Sequence, residues 1–488
     1  MGIDLATQEA RVACVDANGL VVARGRASLA PPQRPRPGWS EQDAGSWWPA
    51  VAESTGQAVD DLGARAAGIV AVAVAATSGT VTVVDHQAVP LGPALLYDDQ
   101  RAGTEGDVAA EAGAGRWEAL GFRPGATSGL AKWAWLLQRP QVGDRASAAL
   151  HASDLVVGRL TGNPRPPTDW SHALKSGYDP ARGEWAHEAF AALGLPEDLL
   201  PEVRPPTSRV GAVGREAAAA TGLPQGCEVR LGMTDGSAGQ IAAGADRPGR
   251  FVTVVGTTLV VKGATEELVV DPSGAVYSHR HPCGWWLPGG ASNTGGAALA
   301  DAFADADLAD LDRRAAERGP AGCVTYPLPG TGERFPFVAA DACGFWLGDP
   351  GDDGERHRAI LEGVAFVERL AYAHLADLGA PAEGPVRSAG GGGRSRTWAA
   401  IRATVLGRPV LLTDDADTAK GAAILAAAGG LHPDLVAAGD AMVRTGEEVA
   451  PTDGERETLE RSYRRFVDAL TERGWVGDRL RRAVTDGS

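Results

Sequence analysis

The stretch Gly232-Met233-Thr234-Asp235-Gly236-Ser237-Ala238-Gly239, near the middle of 488 residues, sets the reading of the whole chain. Before it, Glu228 to Met233 alternates polar and apolar residues, the period of a half-buried strand. After it, Gly236 to Ala245 is mostly Gly, Ala and Ser, which lets a helix approach another backbone closely. Asp235 therefore falls at a strand-to-helix turn, where an α/β protein displays reactive groups on a rigid base. A carboxylate there can take a proton from an alcohol. It can equally cap the following helix, a position that Asp favours. The local sequence does not separate the two.

A chain of this length exceeds one ordinary core and should divide into two domains or three. Its 44% apolar and 22% charged residues are those of a globular protein. A formal charge of −16 argues against nucleic acid or an anionic membrane as the main partner. Positive charge must then be supplied locally wherever an anion binds. The cysteines, Cys14, Cys227, Cys283, Cys323 and Cys343, are odd in number and lack metal-ligand spacing. They read as reduced, mostly buried thiols. No apolar run approaches the ~20 residues of a membrane span, and the sequence opens directly on a strand with no leader-like segment. These features together give the expectation of a cytoplasmic protein. They say nothing about oligomeric state.

Gly2 to Asp16 reads as strand, tight turn, strand, and Asn18-Gly19 signals a hairpin into a third strand, Leu20 to Arg26. Arg34 to Ser40 is Pro-rich and extended. Glu41 to Leu62 has helical periodicity, with Trp47, Trp48, Val51 and Val59 on its apolar side. Ile69 to Ala75 is a buried strand running into Ala76-Thr77-Ser78-Gly79, and Thr168 to Lys175 reads as a polar loop. Phe251 to Lys262 then repeats the opening device, strand–turn–strand with hydroxyls in the turn, Gly256-Thr257-Thr258. Two such turns, offering backbone N–H groups and hydroxyls, could clasp phosphates between two domains. Two unrelated hairpins would look the same.

Two glycine clusters follow. Gly289 to Gly296 precedes an alanine-rich helix, and Gly390-Gly391-Gly392-Gly393-Arg394-Ser395 lies between the strand Val386 to Ala389 and a helix, Trp398 to Leu406. Bare backbone at a helix N-terminus suits an anionic nucleotide. Neither cluster matches the P-loop or the dinucleotide fingerprint, and a glycine run can also be a plain loop.

Taken in order, these pieces resemble the FGGY family of carbohydrate kinases. The resemblance runs through Gly2 to Thr7, Pro37 to Asp43, Tyr97 to Arg101, Leu361 to Ala365, the Gly390 cluster and Leu406 to Val410. Ser171 to Asp179, Val276 to Arg280, Gly289 to Gly296, Tyr326 to Leu328 and Gly332 to Pro336 look like its D-ribulose kinase (xylulokinase-like) branch. The resemblance implies an α/β fold of two actin-like (ribonuclease-H-like) domains, residues 1–245 and 246–488, flanking an ATP and sugar cleft. It implies transfer of the γ-phosphoryl of Mg-ATP to the terminal hydroxyl of a ketopentose, D-ribulose first. By the same match, Asp4 would hold Mg²⁺, and Thr7 and Arg11 would lie at the phosphates. Ser78, Asp169 and Asp235 would meet the sugar, with Asp235 as general base. Gly256, Thr257, Thr258 and Gly295 would form the second phosphate turn, and Gly391, Gly392 and Ser395 the adenosine loop.

The sequence departs from the family pattern at Ala6, usually Gly, at Gln8 and Glu9, usually small or hydroxyl residues, and at Ala76, usually acidic or amide. Ala6 could crowd the phosphates, and Glu9 adds negative charge near an anion. Three other readings stay open: a kinase for xylulose or another sugar or polyol, an actin-like ATPase, and a sugar-binding protein with weakened catalysis.

Overall fold

The computed structural model describes residues 1–482 apart from 305, 414 and 478. The chain packs as two units. The first holds Met1–Ala242, His279–Gly284 and Asp417–Val443, and the second holds Ala243–Ser278, Trp285–Ala416 and the chain from Arg444. Two later segments thus return to the first unit, an exchange that a reading in chain order does not foresee.

In the first unit β1 (Gly2–Leu5), β2 (Glu9–Val15) and β3 (Val21–Ser28) form an antiparallel meander. β4 (Ala71–Ala76) lies parallel to β1, β5 (Arg209–Ala212) is an antiparallel edge strand, and β6 (Glu228–Thr234) is parallel to β4. The order across the sheet is β5-β6-β4-β1-β2-β3. Helices α1 (Trp47–Leu62) and α2 (Ala152–Thr161) pack against it. So does a helix of the returning segment, Thr418–Ala427, which lies along β1, β2, β4 and β6.

Helices over a parallel core bury both faces of its strands. This corrects the reading of residues 228–233 as half-buried: from Val229 to Thr234 every residue of β6 is buried. Two further expectations give way here. The helix expected from Glu41 begins at Trp47, because Glu41–Gln42 pairs as a strand with Ala94–Leu95 and Asp43 caps a short turn over Ala44–Ser46. The expected polar loop 168–175 is a two-residue strand, Thr168–Asp169, followed by one helical turn, α3 (Trp170–Ala173). Its polar side chains bond to one another, so the segment can be buried.

The second unit repeats the plan. β7 (Phe251–Val255), β8 (Leu259–Gly263) and β9 (Trp286–Ser292) are antiparallel, β10 (Val386–Ala389) and β11 (Val410–Thr413) continue parallel to β7, and β12 (Thr445–Val449) is the antiparallel edge. Both sheets thus have three antiparallel strands, two parallel ones beside the first, and an antiparallel edge strand, and the second carries a seventh strand, Tyr277–Arg280, beside β9. The duplicated hairpin of the sequence is one piece of a duplicated fold. The long helix Asp353–Asp377 and the final helix Asp453–Glu472 bury Phe366, Leu370, Phe466 and Leu470 in this unit's core.

Candidate active site

Asp4 on β1, the turn after β4 and the turn after β6 stand at the carboxyl ends of three adjacent parallel strands, since Asp4 pairs with Ala75 and Thr234 with Ala76. Open α/β sheets bind ligands at that edge. Asp235 is the first residue of α4 (Asp235–Ala242), a helix whose small residues let it touch Thr418–Ala427 backbone to backbone. A Cβ on Gly421 would lie 1.9 Å from the Ala238 carbonyl oxygen. That contact fixes where Asp235 stands.

The Asp235 carboxylate is half-buried, and its Oδ1 accepts the N–H of the next residue, Gly236, at 2.6 Å. Beside it, Thr234 Oγ1 donates to Ser237 Oγ at 3.0 Å. Among the described residues Asp235 accepts from the adjacent N–H and not from one two or three positions on, as a helix cap would, and Oδ2 is left for other work.

Asp4 is 1% exposed. Its Oδ2 accepts from Arg11 Nε (2.9 Å) and Nη2 (2.5 Å), across the β1–β2 ladder, while Oδ1 is buried without a hydrogen-bond partner. Burial pushes the Asp4 pKa up to about 7; Arg11 pulls it down less strongly, and the charges of Asp235 and Asp417 add to the rise. Asp417, which caps Thr418–Ala427, was not singled out from the sequence, because nothing local ties it to a site. An orphaned carboxylate oxygen amid acidic neighbours fits a divalent cation. Among the described residues no three His, Cys, Asp or Glu side chains form a preformed metal cage. Mg²⁺ needs none, since it commonly takes one or two carboxylates together with phosphate oxygens and water.

The β1–β2 turn accommodates the sequence departures. Ala6 is not among the residues at positive φ, and its N–H closes the turn on Glu9 O at 3.0 Å, so a Cβ adds no backbone strain. Glu9 is paired with Arg26 (3.3 Å) and lies 3.6 Å from Arg11, which offsets the charge it brings. Gln42 donates through Nε2 to the carbonyls of Thr7 (2.9 Å) and Ala30 (2.7 Å) and bolts the turn down.

After β4, Gly79 takes a φ of +79°, which turns the chain sharply behind Ser78. Ser78 Oγ is buried and has no partner in the protein. The turn is gripped from beneath by Lys132, 0% exposed, whose Nζ donates to Gly79 O (3.0 Å) and Leu96 O (2.6 Å). Burial lowers the Lys132 pKa to about 7.

Asp169, expected to meet the sugar, has both carboxylate oxygens bonded within the protein. Its Oδ1 accepts Ser171 N (2.8 Å), Ser171 Oγ (2.5 Å) and His172 N (3.1 Å), and its Oδ2 meets His172 Nδ1 (2.5 Å). With both oxygens engaged and 2% exposure, it supports the site from behind. Spacing could have shown this, since Asp-x-Ser-His is the pattern of an N-cap one residue before a short helix.

In the second unit the expected phosphate and nucleoside residues gather at the carboxyl ends of β7 and β10. The Gly256–Thr258 turn is tied to α5 (Ala297–Ala302) by Gly296 N to Gly256 O (2.8 Å) and Ala297 N to Thr257 O (3.0 Å). The Thr257 side is exposed. Gly295 is indispensable to this arrangement: a Cβ there would stand 2.5 Å from the Thr258 carbonyl carbon. Gly390 turns at φ +86° against Val255, whereas a Cβ on Gly391 would meet nothing within 4 Å. Gly392 packs on Val255 and the Trp398 ring. Ser395 caps α7 (Arg396–Leu406, counting Leu308–Arg318 as α6), accepting from Trp398 N (3.1 Å) and donating to Asp312 Oδ2 (2.5 Å). Its hydroxyl is thus already engaged within the protein, and Asp312, which also meets His357 Nε2 at 2.7 Å, is the acid beside that loop.

A duplicated ribonuclease-H-like α/β unit, with an acid on the first strand of one copy and glycine loops at the strand ends of the other, defines the class of two-domain phosphotransferases. The comparisons with known proteins agree. The N-terminal domain profile of the FGGY family of carbohydrate kinases matches residues 1–242, and its C-terminal domain profile matches residues 251–430. A xylulose kinase of Streptomyces rubiginosus is 30% identical over 97% of each chain. The crystal structure of a xylulose kinase from Rhodospirillum rubrum superposes with a TM-score of 0.85 at 31% identity, covering 96% of this chain and 98% of that one. Plasmodium falciparum glycerol kinase with ADP shares the fold at 17% identity, with a TM-score of 0.83 over 96% and 97%. The chain belongs to the FGGY family of carbohydrate kinases, and it is a carbohydrate kinase. No helix among the described residues is long and apolar enough to cross a membrane. None of the five cysteines is in a disulfide, and Cys14, Cys227 and Cys323 are buried while Cys283 and Cys343 are exposed.

Proposed function

We propose that the chain transfers the γ-phosphoryl group of ATP to the terminal hydroxyl of a ketopentose, with D-ribulose as the preferred substrate. The observation that carries the phosphoryl transfer is the carboxyl edge of the first sheet, where Asp4 Oδ1 and Ser78 Oγ are buried without partners beside the half-buried Asp235, while D-ribulose rests on the resemblance of residues 171–179, 276–296 and 326–336 to that branch. A buried polar group without a protein partner calls for water, an ion or a ligand to complete it, and at a strand-end edge a ligand is well placed to do so. Ser78 is suited to a sugar hydroxyl. Asp235 Oδ2 takes the proton of the attacking hydroxyl as its oxygen bonds to phosphorus and the bond to the ADP oxygen breaks, a contribution worth roughly 10²–10⁴ in rate.

Asp4, with Arg11 on its other oxygen, would hold Mg²⁺, which when bound neutralises phosphate charge. Thr7 and Arg11, and in the second unit Gly256, Thr257, Thr258 and Gly295, supply donors for phosphate oxygens. Gly391 leaves room for the nucleoside, and Gly392 lets the loop pack closely on Val255 and Trp398. Asp169 and Ser395 act by holding the sugar-side and nucleoside-side loops in place.

D-xylulose is the second reading, favoured by the xylulose kinase relatives. The two ketoses differ in the configuration of one hydroxyl, and mispairing one buried polar group costs ~1–3 kcal/mol, or roughly 5- to 150-fold in kcat/KM. ADP release over a panel of pentuloses, pentoses and polyols tests the proposal. D-ribulose should give the highest kcat/KM. A better rate with D-xylulose selects the second reading, and a better rate with a polyol rejects both.

A further inference from the structure

His172, 0% exposed on α3, meets two groups that both call for a proton. Its Nε2 lies 3.2 Å from the carbonyl oxygen of Ala76, and a carbonyl can only accept, so Nε2 carries hydrogen. Its Nδ1 lies 2.5 Å from Asp169 Oδ2, a contact that holds one more proton. The pair is then either an imidazolium with a carboxylate or a neutral ring with a carboxylic acid. Asp169 Oδ1 decides between them, because three donors converge on it, Ser171 N–H, Ser171 O–H and His172 N–H. Three hydrogen bonds onto a carboxylate favour its ionised form.

The pair joins the two strand ends that carry the proposed chemistry. Ala76 is the last residue of β4, two before Ser78. Ser171 Oγ, held by Asp169, accepts the N–H of Thr234, the last residue of β6 and the neighbour of Asp235, at 3.0 Å. We infer that His172 is a doubly protonated positioning residue that fixes the Ser78 turn against the Asp235 turn and thereby sets the affinity for sugar. The inference deepens the proposed function and rests on it.

The surroundings support the charge. Asp169 faces the ring at the start of α3, and Asp154 on α2 adds a second carboxylate. The His151 ring, 5.8 Å away, is bonded to Asp154 (2.7 Å), Thr168 Oγ1 (3.0 Å) and Ser176 Oγ (2.8 Å). Lys175 stands on the turn after α3. On the flanking strand Val203–Arg204, Arg204 is taken by Glu202, and on β6 Arg230 is taken by Glu228. Burial by itself would lower the His172 pKa, and Asp169, together with Asp154 and the Ala76 carbonyl, outweighs it to hold the ring up to about 8. The folded-state value lies above the ordinary one, so the charged ring is kept below pH 8 and lost above it. A neutral ring can serve only one partner. Ionised Asp169 keeps the Nδ1 proton, and Ala76 O, buried from water, is left without its donor.

The test is the affinity of the full chain for D-ribulose and D-xylulose between pH 6.5 and 9, read by tryptophan fluorescence without ATP, with turnover measured in parallel with Mg-ATP. Affinity should hold to about pH 7.5 and fall roughly tenfold by pH 9, following the ring's titration. His172→Asn should bind sugar about tenfold more weakly at pH 7 with no pH dependence, while affinity for ATP stays within about twofold. A flat wild-type profile, or a variant that keeps the alkaline fall, overturns the inference. Should that variant not fold, Asp169→Asn serves, since it keeps an acceptor and removes the charge. Its amide can donate to Nδ1 and leave the Nε2–H on Ala76 O, so binding should stay near the wild-type level and lose its pH dependence, and an intact alkaline fall again overturns the inference. Sugar binding with the alkaline fall but no phosphoryl transfer rejects the kinase reading alone. Transfer with pH-independent affinity rejects this inference alone, and absence of binding by both ketoses rejects the two together.

Discussion

Asp235→Asn separates chemistry from structure at the centre of the site. The amide keeps the shape of the side chain, and its oxygen still accepts the Gly236 N–H now bonded at 2.6 Å. The Thr234–Ser237 hydrogen bond does not involve it. The group is half-buried and no cation is bonded to it, so stability should change by no more than ~0.5 kcal/mol, as for substitutions away from packed or paired features. Asp4 gains from the change. The Asp235 charge helps to hold the Asp4 pKa up, so its removal lets Asp4 ionise more readily, and Mg-ATP binding should hold or tighten. Turnover is lost because an amide cannot take the proton. Loss of general-base help costs about 10²-fold or more, roughly 2.7 kcal/mol on the barrier. Steady-state ADP release, ATP titration and thermal unfolding of wild type and variant give the three numbers. A variant that keeps more than a tenth of wild-type kcat, or loses ATP binding along with turnover, refutes the assignment of Asp235 as base.

Three further outcomes are expected. Ser78→Ala removes a buried hydroxyl that has no partner, so the melting temperature should stay level or rise, while the KM for sugar increases roughly 5- to 150-fold; a clear loss of stability with unchanged KM would show the hydroxyl to be structural. Gly295→Ala drives a Cβ into the backbone of Thr258, so the KM for Mg-ATP should rise with every sugar tested, and unaltered ATP kinetics would detach this loop from the nucleotide. Glu368→Ala strands Arg402, whose Nε and Nη2 now meet that carboxylate at 2.7 and 2.8 Å in full burial, and should cost about 3–5 kcal/mol in denaturant unfolding; replacing both residues by Met should recover most of the loss, and no recovery would point to packing in place of charge.

The sequence by itself determined where the turns of the candidate edge fall, because each of its signals is local. A strand running into Gly-Ala-Ser-rich residues puts Asp235 at a turn, and the hairpins at residues 2–16 and 251–262 each read as a strand, a turn with hydroxyls and a strand. Period and turn chemistry depend on neighbours within a few positions, so one chain suffices to read them. The tertiary structure decided what depends on contacts far apart in sequence. Whether β6 was buried on one face or two turned on Thr418–Ala427, some 180 residues later. Whether Asp169 met sugar or supported the site turned on the donors that fold back onto it and on Thr234, 65 positions away. Asp417, Lys132 and His172 entered for the same reason: buried charge draws its meaning from what surrounds it in space, where Coulomb attraction and desolvation act over a few ångströms, and the sequence records only the order in which those groups are joined.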